Sequence, residues 1–183
     1  MSLSTKLRRV PGRVTTGAFI LNSGLGKLKG DEATAKAIHG MASGAYPALG
    51  KIPPKVFLKG LAAGEVALGS ALLLPIVPAG LAGLGLTGFS ASMLGMWWRL
   101  PGMHEPKSLK PTQQGTAIAK DVWMLGIGAG LVIDAALSEG RISSVEARAN
   151  ARATVKAEAK AAKKSAKKSA RRARKQAASI LPG

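Results

Sequence analysis

Residues 66–98 run for 33 positions without one charged side chain. A helix rises about 1.5 Å per residue, so about 20 apolar residues cross the hydrocarbon layer of a bilayer. The run and its flank are too long for one crossing. Pro75, Pro78 and Gly80 stand near its middle, and proline there ends a helix by removing a backbone donor and crowding the preceding turn. The pattern predicts a hairpin of two spans, 56–77 and 79–98. A buried hairpin of a water-soluble bundle is the competing reading, and it does not suit so long an uncharged stretch in a chain of 183 residues.

Two weaker candidates flank the hairpin. Residues 117–137 hold an apolar, glycine-rich core between Asp121 and Asp134. Residues 14–26 are apolar but short, covering only about 20 Å. They cross a membrane only if Arg13 and Lys27 reach outward along their stems and the helix extends into both interfaces; an in-plane amphipathic helix is the alternative. The preceding Lys6, Arg8, Arg9 and Arg13 resemble the flank of a signal sequence, but no small-x-small cleavage pattern follows, so this segment reads as a retained span. Between spans, 29–55 contains a helix-compatible stretch at 31–41 and a stop at Pro53-Pro54. The connection 99–116 contains Pro101, Pro106 and Pro111, which exclude a regular helix.

Charge is segregated from this apolar body. The chain carries a net charge of +18, and residues 138–183 hold thirteen Lys/Arg against three Glu. That tail is built of Ala, Lys, Arg and Ser with basic residues on every side, so it cannot bury an apolar face and reads as solvated or transiently helical. Beside a span it suits anionic lipid headgroups; phosphates of a nucleic acid are the alternative, without aromatics to stack on bases. Basic residues at both termini outnumber those of the two opposite connections, which places both termini in the cytoplasm with an even number of spans. Trp97, Trp98 and Trp123 fall at span ends on the far side and read as an aromatic belt. The expected organisation is a cytoplasmic N-terminus (1–13), a four-span domain (14–137) and a basic tail (138–183).

Few residues could carry chemistry. Cysteine is absent, which excludes disulfides, thiolate metal sites and covalent haem in this chain. His39 and His104 lie outside the strongest apolar runs, so a haem held by two histidines within the membrane is not expected. No nucleophile–base constellation is visible, and Gly24-Leu25-Gly26-Lys27 lacks the spacing of a phosphate loop. Glu65 is the informative position, because a carboxyl near mid-span is costly and faces the bundle interior or water. Asn22 and Ser23 lie at comparable depth in the first span, with Lys27 nearer the outer interface. Glu65, Asn22, Ser23 and Lys27 form the candidate intramembrane polar site, either for a proton or ligand or as an interhelical hydrogen bond. Lys27 and Asp121 are expected at one depth, as an ion pair at the outer interface. Asp134, near the cytoplasmic end, is assigned no chemistry. Gly60-x-x-x-Gly64 and Gly126-x-x-x-Gly130 place small residues on single helix faces, suited to close packing within the bundle or to contact with another copy.

The segments Arg13…Phe19-Ile20-Leu21-Asn22-Ser23-Gly24-Leu25-Gly26-Lys27-Leu28, Gly64-Glu65-Val66-Ala67-Leu68-Gly69 and Lys120-Asp121-Val122-Trp123-Met124-Leu125-Gly126 together resemble the bacterial DoxX-like family of small four-helix membrane proteins, over residues 8–137. The resemblance implies an all-α, four-span bundle in the bacterial plasma membrane with both termini inside. It also implies work beside a membrane redox or oxidative-stress system, as an accessory subunit without catalytic activity of its own. Any redox cofactor then belongs to a protein partner or is a diffusible quinone. The basic tail lies outside the family pattern. The rival functions are a small proton-linked transporter using Glu65, and a membrane-tethered binder of anionic lipid or nucleic acid acting through the tail. A homo-oligomer is the other expected partnership.

A peptide of residues 138–183 is expected to bind anionic vesicles, at about 1 kcal/mol per basic residue near the surface, and to leave them at high salt. Sedimentation with vesicles of matched size, anionic against neutral, checks this; equal binding to both contradicts it.

Overall fold

The computed structural model describes residues 3–138, with Arg152 and Lys156 beyond them. The expected tail otherwise lies outside the described residues. The body is helical: α1 (Leu3–Leu28), α2 (Glu32–Ala45), a 3-10 turn (Pro47–Lys51), α3 (Pro54–Leu73), α4 (Ala79–Arg99) and α5 (Thr116–Ser138), which opens with the short turn Thr116–Ala119. Three of these, α3, α4 and α5, are long and apolar enough to cross a membrane.

Boundaries follow from proline. Pro54 occupies the first turn of α3, where its missing N–H costs nothing. The helix was expected to run to residue 77 but stops at Leu73, because Leu74 precedes Pro75 and is pushed into extended backbone. Pro78 and Leu100 bound α4. Residues 101–115 form turns, with an isolated bridge between His104 and Pro111, as three prolines in that stretch require.

The first helix departs most from expectation. It begins at Leu3 instead of residue 14 and continues through Pro11 and Gly12 for 26 residues, about 39 Å. Tertiary contacts hold the added turns. The Arg8 and Arg9 guanidiniums pair with Asp134 of α5, and both donate to the Ser138 hydroxyl. Arg13 donates to the carbonyls of Ala71, Leu72, Leu74 and Val77 at 2.7–3.0 Å. Those oxygens belong to the last turn of α3 and the turn after it, and a helix end leaves such groups without intrahelical partners. Arg13 thus caps α3 and fastens the α3–α4 turn to α1.

The four long helices pack antiparallel in sequence order. Along α1 and α3, Gly17 meets Leu72, Leu21 meets Gly69, and Gly24 meets Ala62 and Glu65. On α4 and α5, Gly80 meets Ala135 and Gly83 meets Leu131. Ile20, Leu72, Ala82, Leu86 and Leu131, one or more from each long helix, form the buried core.

The glycines that let backbones touch are not the ones whose spacing suggested it. A methyl at Gly69 would lie 2.6 Å from the Leu21 amide nitrogen, and one at Gly24 would lie 2.9 Å from the Ala62 carbonyl oxygen. Gly60, Gly64, Gly126 and Gly130 have nothing within 4 Å of the equivalent position, so neither expected face packs within the described bundle.

Between α1 and α3 lies α2. Asp31 accepts from the Thr34 amide at 2.8 Å, a bond that satisfies a free donor of the first turn and holds the Asp31 carboxyl below its ordinary range. Glu32, bridged to Lys36 and Lys55, is lowered by their hydrogen bonds and charge. The helix expected at 31–41 is therefore real and slightly longer.

Gly69→Ala is expected to destabilise the bundle by about 1–3 kcal/mol through overpacking. Gly60→Ala should be neutral. Thermal unfolding of both variants in one detergent checks the contrast, and equal effects would contradict the crossing at Gly69.

Candidate functional site

The Gly24 contact sets the site. With α1 and α3 this close, residues one helical turn apart on α1, Ser23 and Lys27, face Glu65 on α3. The Lys27 ammonium lies 2.9 Å from each Glu65 oxygen and 2.6 Å from the Ser23 hydroxyl. The Glu65 side chain is 4% exposed and that of Lys27 21%. A carboxylate so placed is tolerated because an opposite charge and two hydrogen bonds replace its water.

Asp121, at the start of α5, stands across a cleft from this pair. The cleft has a volume of about 170 Å³, and its apolar walls come from three helices: Phe19 and Ile20 of α1, Phe89 and Met93 of α4, and Ile118 and Met124 of α5, with the Lys27–Glu65 pair between α1 and α3. A second cleft of about 330 Å³ shares Phe19, Ala117, Asp121 and Met124 with the first and extends past Lys120 and Trp123. Asp121 therefore borders both. A third, apolar cleft of about 480 Å³ is bordered by Trp97, Trp98, Leu109 and Val122.

Three of the four residues expected in the polar site meet: Glu65, Ser23 and Lys27. Asn22 does not join them. It is exposed, since consecutive helical residues point about 100° apart and Ser23 takes the inward direction. The expected Lys27–Asp121 ion pair is also absent among the described residues. Lys27 is drawn inward to Glu65, and Asp121, which carries no ion pair or hydrogen bond among the described residues, faces the same cleft. Asp134 is held by Arg8 and Arg9 at the opposite end of the bundle. Of the expected tryptophan belt, Trp98 and Trp123 are exposed, but Trp97 is buried and donates to the Met103 carbonyl at 3.0 Å.

Neither histidine approaches the site. His104 stacks on Trp98, with ring centroids 4.9 Å apart, and His39 lies against Phe57. Among the described residues no three His, Asp or Glu side chains come together as metal ligands. The walls Phe89 and Met93 were missed in the sequence, where nothing separates them from ordinary span residues. Arg13 as a helix cap was missed too, because its partners are backbone oxygens about 60 residues away.

Comparison of the chain with protein-family models, with curated proteins and with solved structures found no match.

The arrangement offers a charged, hydrogen-bonding floor under apolar and aromatic walls. Removing one partner of the pair leaves the other charge buried, a loss of about 3–5 kcal/mol, whereas removing both is far milder. Lys27→Met and Glu65→Leu are each expected to lower thermal stability by that order, and the double variant to recover most of it. Additive losses in the double variant would show that the pair is not coupled.

Proposed function

We propose that this chain is a four-span accessory subunit of a bacterial plasma-membrane redox system, and that its polar cleft receives the ring of a membrane-dissolved quinone or quinol. The observation that carries the reading is the cleft itself: a buried Glu65 paired with a partly exposed Lys27, and Asp121, in one lining with Phe19, Phe89, Met93 and Met124. A flat ring with polar edges needs apolar walls with a few placed polar groups. The sequence resemblance to the DoxX-like family supports the redox setting. In this reading the chain positions the ring, and a partner subunit supplies the oxidant or reductant.

The fourth span of the proposal is α1, which packs antiparallel to α3; its uncharged stretch 14–26 covers only about 20 Å, and Arg13 and Lys27 beside it are satisfied within the bundle by the α3 carbonyls and Glu65 instead of reaching outward. Lys6, Arg8, Arg9 and Arg13 precede the uncharged stretch and Lys27 follows it. A reporter fused after Gly183 is expected to read cytoplasmic, and one inserted at Gly44 or Lys107 external. An external reading at Gly183 contradicts four spans.

Proton-linked transport is the second reading, favoured by one observation: Glu65 and Asp121, two carboxyl groups, border one cleft. It requires flux in reconstituted vesicles that Glu65→Gln abolishes while thermal stability holds.

The ring-binding reading is tested with purified protein in lipid nanodiscs. A short-chain quinone, supplied oxidised or reduced, is expected to saturate one site per chain. Ala117→Phe, which fills the space shared by the two clefts, should weaken binding at least about tenfold, the cost of roughly 1.4 kcal/mol. Partitioning equal to protein-free nanodiscs in both oxidation states would sink the proposal.

A further inference from the structure

The cleft has two carboxyl groups and one ammonium, and their hydrogen bonds decide what it can recognise. An ammonium has three donors. Those of Lys27 meet three acceptors at 2.6–2.9 Å: the Ser23 hydroxyl oxygen and both Glu65 oxygens. The cation that would ordinarily attract a carbonyl or an anion is therefore spent. The only uncommitted donor of this cluster is the Ser23 hydroxyl hydrogen. Asp121, in contrast, lines the cleft with no hydrogen bond or ion pair among the described residues, and a carboxylate only accepts. The charged groups that border its clefts are Lys27 of α1 and Glu65 of α3, already joined to each other, and Lys120, which lines the second cleft.

We infer that the cleft selects ligands that donate a hydrogen bond, with Asp121 as the acceptor that reads a phenolic or hydroquinone hydroxyl. This rests on the ring-binding reading and narrows it to the hydroxyl-bearing form. Two further features fit. Phe19 and Phe89 offer ring faces and edges to an aromatic guest, and the thioethers of Met93 and Met124 make favourable contacts at a ring edge. Asp121 also borders the second cleft, along with Phe19, Ala117 and Met124. A ligand with an apolar tail can therefore lay its tail along Thr16, Trp123 and Ile127 while its hydroxyl meets Asp121.

The test uses a pair of probes in which a methyl group replaces the donor hydrogen. 4-Heptylphenol and its methyl ether, 4-heptylanisole, share the ring and tail, but only the phenol has an O–H. Binding is measured on the full chain in zwitterionic nanodiscs at pH 8, with protein-free nanodiscs subtracted. The phenol is expected to bind about tenfold tighter or more, as suits a hydrogen bond to a charged group. Asp121→Leu should erase that advantage and leave the affinity for the anisole within about twofold. Asp121→Asn, which keeps the volume and one acceptor oxygen, should retain an intermediate advantage and shows that loss in the Leu variant is not loss of fold. Equal affinity of the two probes for the wild-type chain, or an advantage that survives in Asp121→Leu, would overturn the inference while leaving ring binding intact. Saturation by neither probe would overturn both.

Discussion

Helices α1 and α3 touch backbone to backbone, and most of what distinguishes this bundle depends on that contact. Gly17, Gly24 and Gly69 remove the side chains that would otherwise hold the axes apart. In a lipid environment, where apolar surface gains little from leaving the solvent, close packing and interhelical hydrogen bonds drive association. The crossing supplies both. Gly24 brings the α1 backbone against Glu65, and the Lys27 stem then needs only one helical turn to reach the carboxylate. A wider separation would leave Glu65 buried without its cation, a state too costly to persist.

Arginines complete the same arrangement at the other end. Arg13 closes the carbonyl end of α3, and Arg8 and Arg9 tie α1 to Asp134 and Ser138 of α5. These residues serve two physical roles. Their charge is what the proposed orientation rests on, and as donors they extend α1 through Pro11. The site and the clamp thus lie at opposite ends of one helix. Displacement of α1 along its axis would loosen both together.

The parts legible in the sequence were those set by local rules. The hairpin of α3 and α4 followed from an uncharged run and its central prolines, and the irregular segment before α5 from Pro101, Pro106 and Pro111. Glu65 was recognisable because a mid-span carboxyl is rare, and Ser23 because it shares that depth; Lys27 reads as nearer the outer interface and is instead drawn inward to Glu65. What escaped was set by direction and by distant partners. Depth alone does not say that Asn22 points outward while Ser23 points inward. Spacing alone favoured the glycine pairs at 60/64 and 126/130, which are open, over Gly24 and Gly69, which belong to no such motif with each other. Nothing local marks how far α1 extends before residue 14, because the contacts that keep its first turns helical come from α3 and α5.

The crossing of α1 on α3 can be measured directly, since the natural chain has no cysteine to interfere. A methyl at Gly17 would lie 3.0 Å from the Leu72 Cβ, a little inside the usual Cβ separation of a disulfide. In the Gly17→Cys, Leu72→Cys variant, mild oxidation in native membranes followed by maleimide-polymer labelling under denaturing conditions should show both thiols protected. The Gly17→Cys, Gly60→Cys variant, whose second thiol sits on the open face of α3, should retain both. Protection in the first variant alone is the predicted result; two free thiols in the first variant would contradict the antiparallel contact on which the Lys27–Glu65 site rests.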